Sequence, residues 1–317
     1  MATPTPYRTS RPVRLLLFGA GGVLAVLMVL WGTAHALDRL SIQEERTVTA
    51  YRDVERIDLR HAHGNVTLVG SDGPEVRVEV DSRHGFLAGH ERTAAVAAGE
   101  LRLRGACDFL TFGTCEDHYR IEVPAGVAVT VRTSAGEATA VGLRGDLELR
   151  SSAGPVRARD VRGDTVVLRS GAGPVSADRV RAERLELRSN AGDVRVVRSA
   201  ATTVYARTSA GPVDVELLRP PRSLEARSSA GPVTAVVPDV GYDVDADTAA
   251  GPEEVLVRQV PGAARTIVAG SNAGPVTVRP LPRGEALNAP RARPRSGERA
   301  RSPRPARARA DAPRSRR

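Results

Sequence analysis

The sequence predicts an all-β fold: a β-solenoid, or β-helix, with rungs of about 19–20 residues, preceded by one transmembrane helix. Three observations carry this: a short phrase that recurs at a nearly fixed period, apolar alternation on both sides of each recurrence, and a long uncharged run near the start. The phrase is RSSAGPVRA at 150–158, and it returns as RSGAGPVSA, RSNAGDVRV, RTSAGPVDV, RSSAGPVTA and GSNAGPVTV. Its glycines are Gly136, Gly154, Gly173, Gly192, Gly211, Gly231, Gly251 and Gly274, at steps of 18, 19, 19, 19, 20, 20 and 23 residues, with an earlier isolated copy at Gly64.

The positions seven and five before each glycine are apolar in all nine copies, from Ile57/Leu59 through Leu185/Leu187 to Ile267/Ala269. Two and four residues after it come pairs such as Val66/Leu68, Val156/Ala158 and Val276/Val278, and Gly251 alone departs, with Glu253 in the first place. Alternation on both sides of a glycine reads as two short strands with one buried face, joined at a corner. Three residues before the glycine stands Ser or Thr in the eight later copies, and one before it Ala. These small residues are expected to let the chain bend inward, with the hydroxyls satisfying backbone groups. The glycine tolerates backbone angles closed to other residues, and the proline that follows it in six copies stands at a strand start, where its missing N–H matters least. A single rung cannot offset its own chain entropy, so stability is expected to reside between rungs.

Taken in order, residues 1–14 form a basic cytoplasmic segment with Arg8, Arg11 and Arg14, and 15–36 a transmembrane signal anchor. Within it, 15–34 carries no charge over twenty residues, enough to cross a bilayer as a helix, and Trp31 suits the far interface. The competing reading is a secretory signal cleaved at Ala34-His35-Ala36, before Leu37. Residues 37–47 are a juxtamembrane linker, 48–128 an irregular β cap, 129–282 the regular solenoid and 283–317 an Arg/Pro-rich disordered tail. The cap contains Cys107 and Cys115, a spacing that, in the oxidising compartment expected, predicts a disulfide around a small loop carrying Phe109 and Phe112.

The chain holds no lysine, so all 46 basic residues are arginines, which excludes a P-loop, Schiff-base chemistry and a Ser-Lys pair. Residues 285–317 hold eleven arginines against Glu285, Glu298 and Asp311, so they carry +8 of the formal +9. Such a tail suits anionic wall polymer or phospholipid head groups, or is a solvated tail of biased composition. No nucleic-acid partner is expected outside the membrane.

Arginine stands four residues before the glycine in six consecutive copies: Arg132, Arg150, Arg169, Arg188, Arg207 and Arg227. Stacking would make these an exposed ladder, either an anion-binding stripe or, with Glu148, Glu186 and Glu225 two residues back, a mixed-charge solvated face. Five of the six histidines, His61, His63, His84, His90 and His118, cluster in the cap beside Cys107, Asp108, Cys115, Glu116 and Asp117. His61 and His63 share a strand face, but they also replace the Ser/Thr and Ala of the later corners; no metal ligand spacing is present, and no metal or cofactor is assigned. Arg-Gly-Asp occurs at 144–146 and 162–164, where Gly-Asp is also ordinary turn chemistry. H-E-x-x-H, G-x-S-x-G and C-x-x-C are absent, so no catalytic residue is assigned.

The amino-terminal apolar helix, the early HGNVTLVG, the stretch YRIEVPAGVAVTVRTSAGEATAVGLRGDLELRSSAG and the serial S-x-A-G-x-V phrases resemble a bacterial putative-adhesin family of β-strand-repeat proteins, a domain of unknown function, over about residues 48–280. The resemblance implies a β-solenoid at the cell envelope, in some members a link to envelope-stress operons, and supplies no catalytic residues. The functional expectation is a non-enzymatic, membrane-anchored, extracytoplasmic protein that binds or scaffolds, with anionic wall polymer or envelope proteins as partner classes. The alternatives are an accessory of envelope-stress regulation acting on a membrane partner, and a glycan-cleaving β-helix enzyme.

Overall fold

The structure, a computed structural model, describes residues 11–40, 43–84, 90–107 and 115–282. Residues 1–10, 41–42, 85–89, 108–114 and 283–317, among them Arg8, Phe109 and Phe112, lie outside the described residues.

The amino-terminal apolar run lies in one helix, Arg11–Leu40. Val23, Leu24, Leu27, Leu30 and Trp31 are all exposed on it. Among the described residues no helix is long and apolar enough to cross a membrane. The described side chains of this helix begin at Gly19, so they cover only part of the 15–34 run.

The repeats stack as predicted. Strands preceding the corner glycines pair in parallel, and those following them pair in parallel as a second sheet. The register equals the repeat: Val129, Leu147, Val166, Leu185 and Val204 lie opposite one another in successive rungs, at most 2% exposed. Each apolar position thus covers its own equivalent, which is how a rung too small to fold alone acquires a core. A further inward column escaped the reading of four apolar residues per rung. Leu143, Val161, Val180 and Ser199 are buried where the chain turns toward the next rung, and Ser199 stays satisfied by accepting from the Val180 amide at 3.0 Å and donating to the Val197 carbonyl at 3.0 Å.

The corners work by the predicted chemistry, extended between rungs. The Ser151, Ser170, Ser189, Thr208 and Ser228 hydroxyls each donate to the carbonyl of the preceding rung's corner glycine, at 2.8–3.3 Å. The Gly154, Gly173, Gly192 and Gly211 amides donate to the alanine carbonyl of the following rung, and the Val156, Val194 and Val213 amides donate to its proline carbonyl. The proline nitrogen falls between these bonds, so its missing N–H costs nothing. Ala153, Ala172, Ala191, Ala210 and Ala230 are exposed at these corners.

Two further expectations are corrected. The copy at Gly64 is not isolated: Arg56–His63 pairs directly with Ala128–Ala135, and Val66–Ser71 with Ala138–Val141. Nor is 48–128 irregular throughout. Glu100–Cys107 and Cys115–Pro124 build one more rung outside the Gly64 rung, with Leu101 opposite Ile57 and Ile121 opposite Leu68. Beyond it the pairing turns antiparallel, through His90–Ala97 in one sheet and Val76–His84 followed by Gln43–Tyr51 in the other.

At the opposite end chain order and spatial order also part. Thr266–Ser271 and Val276–Pro280, the last strands, insert between the Gly231 rung and the Gly251 rung. The Gly231 amide therefore donates to Ala273, and the Gly274 amide to Ala250. The Gly251 rung becomes the outermost one, which explains why Glu253, exposed at that edge, is tolerated where other rungs bury an apolar side chain.

Candidate functional site

The arginine ladder forms and is longer than the sequence indicated. Arg132, Arg150, Arg169, Arg188, Arg207 and Arg227 are opposite one another in register, and Arg60 and Arg104 extend the row through the cap rungs. Much of it is neutralised. Arg132 pairs with Asp58 at 3.1 Å, Arg227 with Glu225 at 3.2 Å, and Arg150 with Glu148. Arg169 places Nε at 3.2 Å and Nη2 at 2.5 Å from Glu186 of the next rung. Partial burial opposes ionisation of Glu186, yet Arg169 and Arg184 outweigh it and hold the carboxyl below its usual range. Among the described residues, Arg188 and Arg207 make no ion pair. The mixed-charge reading therefore describes most of this face.

A second row lies where each rung passes to the next. Arg144, Arg162 and Arg181 stack through isolated parallel bridges, followed by Ala200. Around the continuation of this row lies an open concavity of about 770 Å³ to which Arg162, Arg181, Arg219, Arg222 and Arg265 contribute. Sequence reasoning missed these residues because it followed the strand alternation and stopped at the strand ends. Counting eight residues on from successive glycines gives Arg144, Arg162, Arg181, Ala200 and Arg219, so the signal was there.

The Arg-Gly-Asp tripeptides prove to be connections between rungs. Asp146 Oδ1 accepts from the Asp164 amide at 3.0 Å and the Thr165 amide at 2.8 Å. A Cβ on Gly163 would collide with the Gly145 carbonyl. Turn chemistry accounts for both residue choices.

The cap places its histidines apart. His61 is buried, His63 is exposed, and the His118 Nδ1 accepts from the Asn65 amide at 3.1 Å, so the shared face expected for His61 and His63 is not formed. The corner between the two strands breaks the alternation. The side chain of His90 lies outside the described residues. Among the described residues no group of three or more His, Cys, Asp or Glu is arranged to hold a metal ion. Cys115 is disulfide-bonded and no described cysteine is free; Cys107 is the chain's other cysteine.

His61 occupies the position of the corner hydroxyls and packs edge-on against Tyr119, with ring centroids 5.0 Å apart. Asp117, also buried, accepts from the Ser82 hydroxyl at 2.6 Å. Burial, with Asp117 nearby, pushes the Tyr119 phenol up to about 12. Neither ring nitrogen of His61 has a hydrogen-bond partner of good geometry among the described residues. Burial lowers its pKa from the usual 6.5 against the opposing pull of Asp117. The unfolded chain then binds more protons than the folded one below pH 6.5, so stability is complete above that pH and declines as pH falls toward the folded pKa. The melting temperature of the wild type is expected to drop between pH 7 and pH 5 more than that of His61→Ser, measured by circular dichroism; parallel curves would assign the acid sensitivity elsewhere.

Stacked parallel rungs with charge set out in rows define a β-strand repeat protein. The chain belongs to the Toastrack DUF4097 family, whose profile matches residues 54–261. Among solved structures it is similar to a putative adhesin from Bacteroides fragilis NCTC 9343, at 15% identity over 75% of this chain and 97% of that one, with a TM-score of 0.41. It is also similar to a putative adhesin from Parabacteroides distasonis ATCC 8503, at 13% identity over 75% of this chain and 97% of that one, with a TM-score of 0.44. A putative lipid binding protein from the same organism matches at 14% identity over 76% of this chain and 97% of that one, with a TM-score of 0.45. No curated protein matches the chain.

Proposed function

We propose that the chain is a non-enzymatic, membrane-anchored β-solenoid, exposed outside the cytoplasmic membrane, that binds or scaffolds at the bacterial envelope. The observation that carries this is the row of arginines where rungs pass to one another, Arg144, Arg162 and Arg181, continued by Arg219 around an open concavity, on a surface that the buried half of the same repeat holds in fixed register. Parallel rungs lie about 4.8 Å apart, so a ligand with its own repeat meets the same contact several times over. The anchor is supported by the uncharged run 15–34 and by Arg8, Arg11 and Arg14 before it, which favour a cytoplasmic amino terminus. The disulfide at Cys115 is at home in an oxidising compartment.

An alkaline phosphatase fused after residue 280 is expected to be active, the same fusion with cytoplasmic β-galactosidase inactive, and the full chain to fractionate with membranes. A mature chain beginning at Leu37 and recovered from the medium would replace the anchor by a cleaved signal. An active β-galactosidase fusion would overturn the extracytoplasmic reading.

A further inference from the structure

The recess between rungs is not uniformly charged. At its Gly173 end, Arg162 and Arg181 stand beside Asp164 and Glu183, and the four charges offset one another. At its other end, backbone bonds stack Thr202, Arg222 and Arg265 in successive rungs: the Arg222 amide donates to Thr202 at 2.8 Å and the Arg222 carbonyl accepts from Thr266 at 3.0 Å. The residues that precede these strands therefore run Asp164, Glu183, Thr202, Arg222, Arg265, from acidic to basic along the rod. Arg219, eight residues after Gly211, also lines the recess, just past the point where the register shifts and Leu217 lies opposite Ser199. Among the described residues none of Arg219, Arg222 and Arg265 makes an ion pair, and no carboxylate lines this end, whose remaining surface is made by small side chains such as Ala200 and Ala264. Four of the six arginines first singled out are, by contrast, already paired.

Three guanidinium groups around a recess floored by alanine form a seat for anionic oxygens, and planar forks suit phosphate better than a point charge does. The recess is concave and continues across rungs, which fits a flexible chain better than the plane of a bilayer. We propose that Arg219, Arg222 and Arg265 bind successive phosphate groups of a linear anionic polymer. The proposal deepens the envelope-binding reading and rests on it.

The test uses the full chain in neutral detergent with fluorescent long-chain inorganic polyphosphate, followed by anisotropy. The variant Arg219→Gln/Arg222→Gln/Arg265→Gln is expected to weaken binding at least about tenfold and to flatten the salt dependence by about two units of the log–log slope. Arg150→Gln/Arg169→Gln/Arg188→Gln, outside the lining of the recess, is expected to bind within about threefold of wild type, since Arg150 and Arg169 are already paired. Wild-type binding of the groove variant overturns the proposal. So does loss of binding only when the eleven arginines of 285–317 become Gln, which would make the tail the site. Loss of binding to phosphatidylglycerol vesicles with polyphosphate binding intact would overturn it in favour of a lipid surface, and failure of the wild-type chain to bind polyphosphate overturns it outright. The fusion experiment reports on location alone, so an external chain that ignores polyphosphate sinks this inference and leaves the anchor standing.

Discussion

Gly192→Val is expected to cost roughly 2–6 kcal/mol, enough to erase much of the stability of an ordinary domain, and to appear as loss of the cooperative melting transition. Two penalties meet at this corner. The backbone sits at φ +147, inside the region that side chains with a Cβ rarely adopt, and an added Cβ would lie 2.5 Å from the carbonyl carbon and oxygen of Gly173 in the neighbouring rung. The obstacle is backbone on both sides, so no rotamer change relieves it. Relief would have to come from spreading two rungs, which breaks the Gly173-to-Ala191 and Ser189-to-Gly173 bonds at 2.8 and 2.9 Å. Thermal denaturation followed by circular dichroism measures this; a variant that melts within a few degrees of wild type would show that the corners do not carry the stack.

The second large effect separates spatial order from chain order. Gly274 is the last corner in the sequence but lies inside the stack, and its added Cβ would meet the Gly231 carbonyl carbon and oxygen at 2.6 Å. Gly251 precedes it in the sequence but forms the free end, where the added Cβ would meet Gly274 at 2.7 Å. Gly274→Val is therefore expected to cost roughly 2–6 kcal/mol, because rungs on both sides hold it. Gly251→Val is expected to cost roughly 1–3 kcal/mol, mostly backbone strain, because the outermost rung can lift away. Equal melting temperatures for the two, or the reverse order, would return the rungs to their order in the chain.

This inversion shows what the sequence could and could not convey. Columns such as Val129, Leu147 and Val166 were legible because identical positions stack on identical positions, and a period in sequence becomes a register in space. For the same reason the sequence could not say which rung meets which. Every copy presents nearly the same edge, so local pattern identifies a rung without identifying its neighbour. The signals were indirect: a longer step of 23 residues before Gly274, and Glu253 where burial was expected. The ladder from Arg132 to Arg227 followed from strand parity, whereas its neutralisation by Asp58 and Glu186 depends on contacts between rungs. Arg219, Arg222 and Arg265 lie outside the strands, where alternation gives no guidance; Arg219 keeps the spacing of eight residues after a corner glycine, whereas Arg222 and Arg265 stack because the last rung inserts beside the Gly231 rung.

The inserted final rung also bears on the order in which this end of the stack can assemble. Each rung from Gly136 to Gly231 pairs with a rung that precedes it in the chain. Residues 243–255 come next in the chain, but the strands they pair with, Thr266–Ser271 and Val276–Pro280, come later still. Addition of rungs in chain order therefore builds the native stack only as far as the Gly231 rung, and the end beyond it requires the last strands to be present, a less local closure than stacking one rung on the next. A chain ending between 243 and 265 lacks the native partner of Ser223–Ala230, so the edge that the last rung covers in the full chain is left without it.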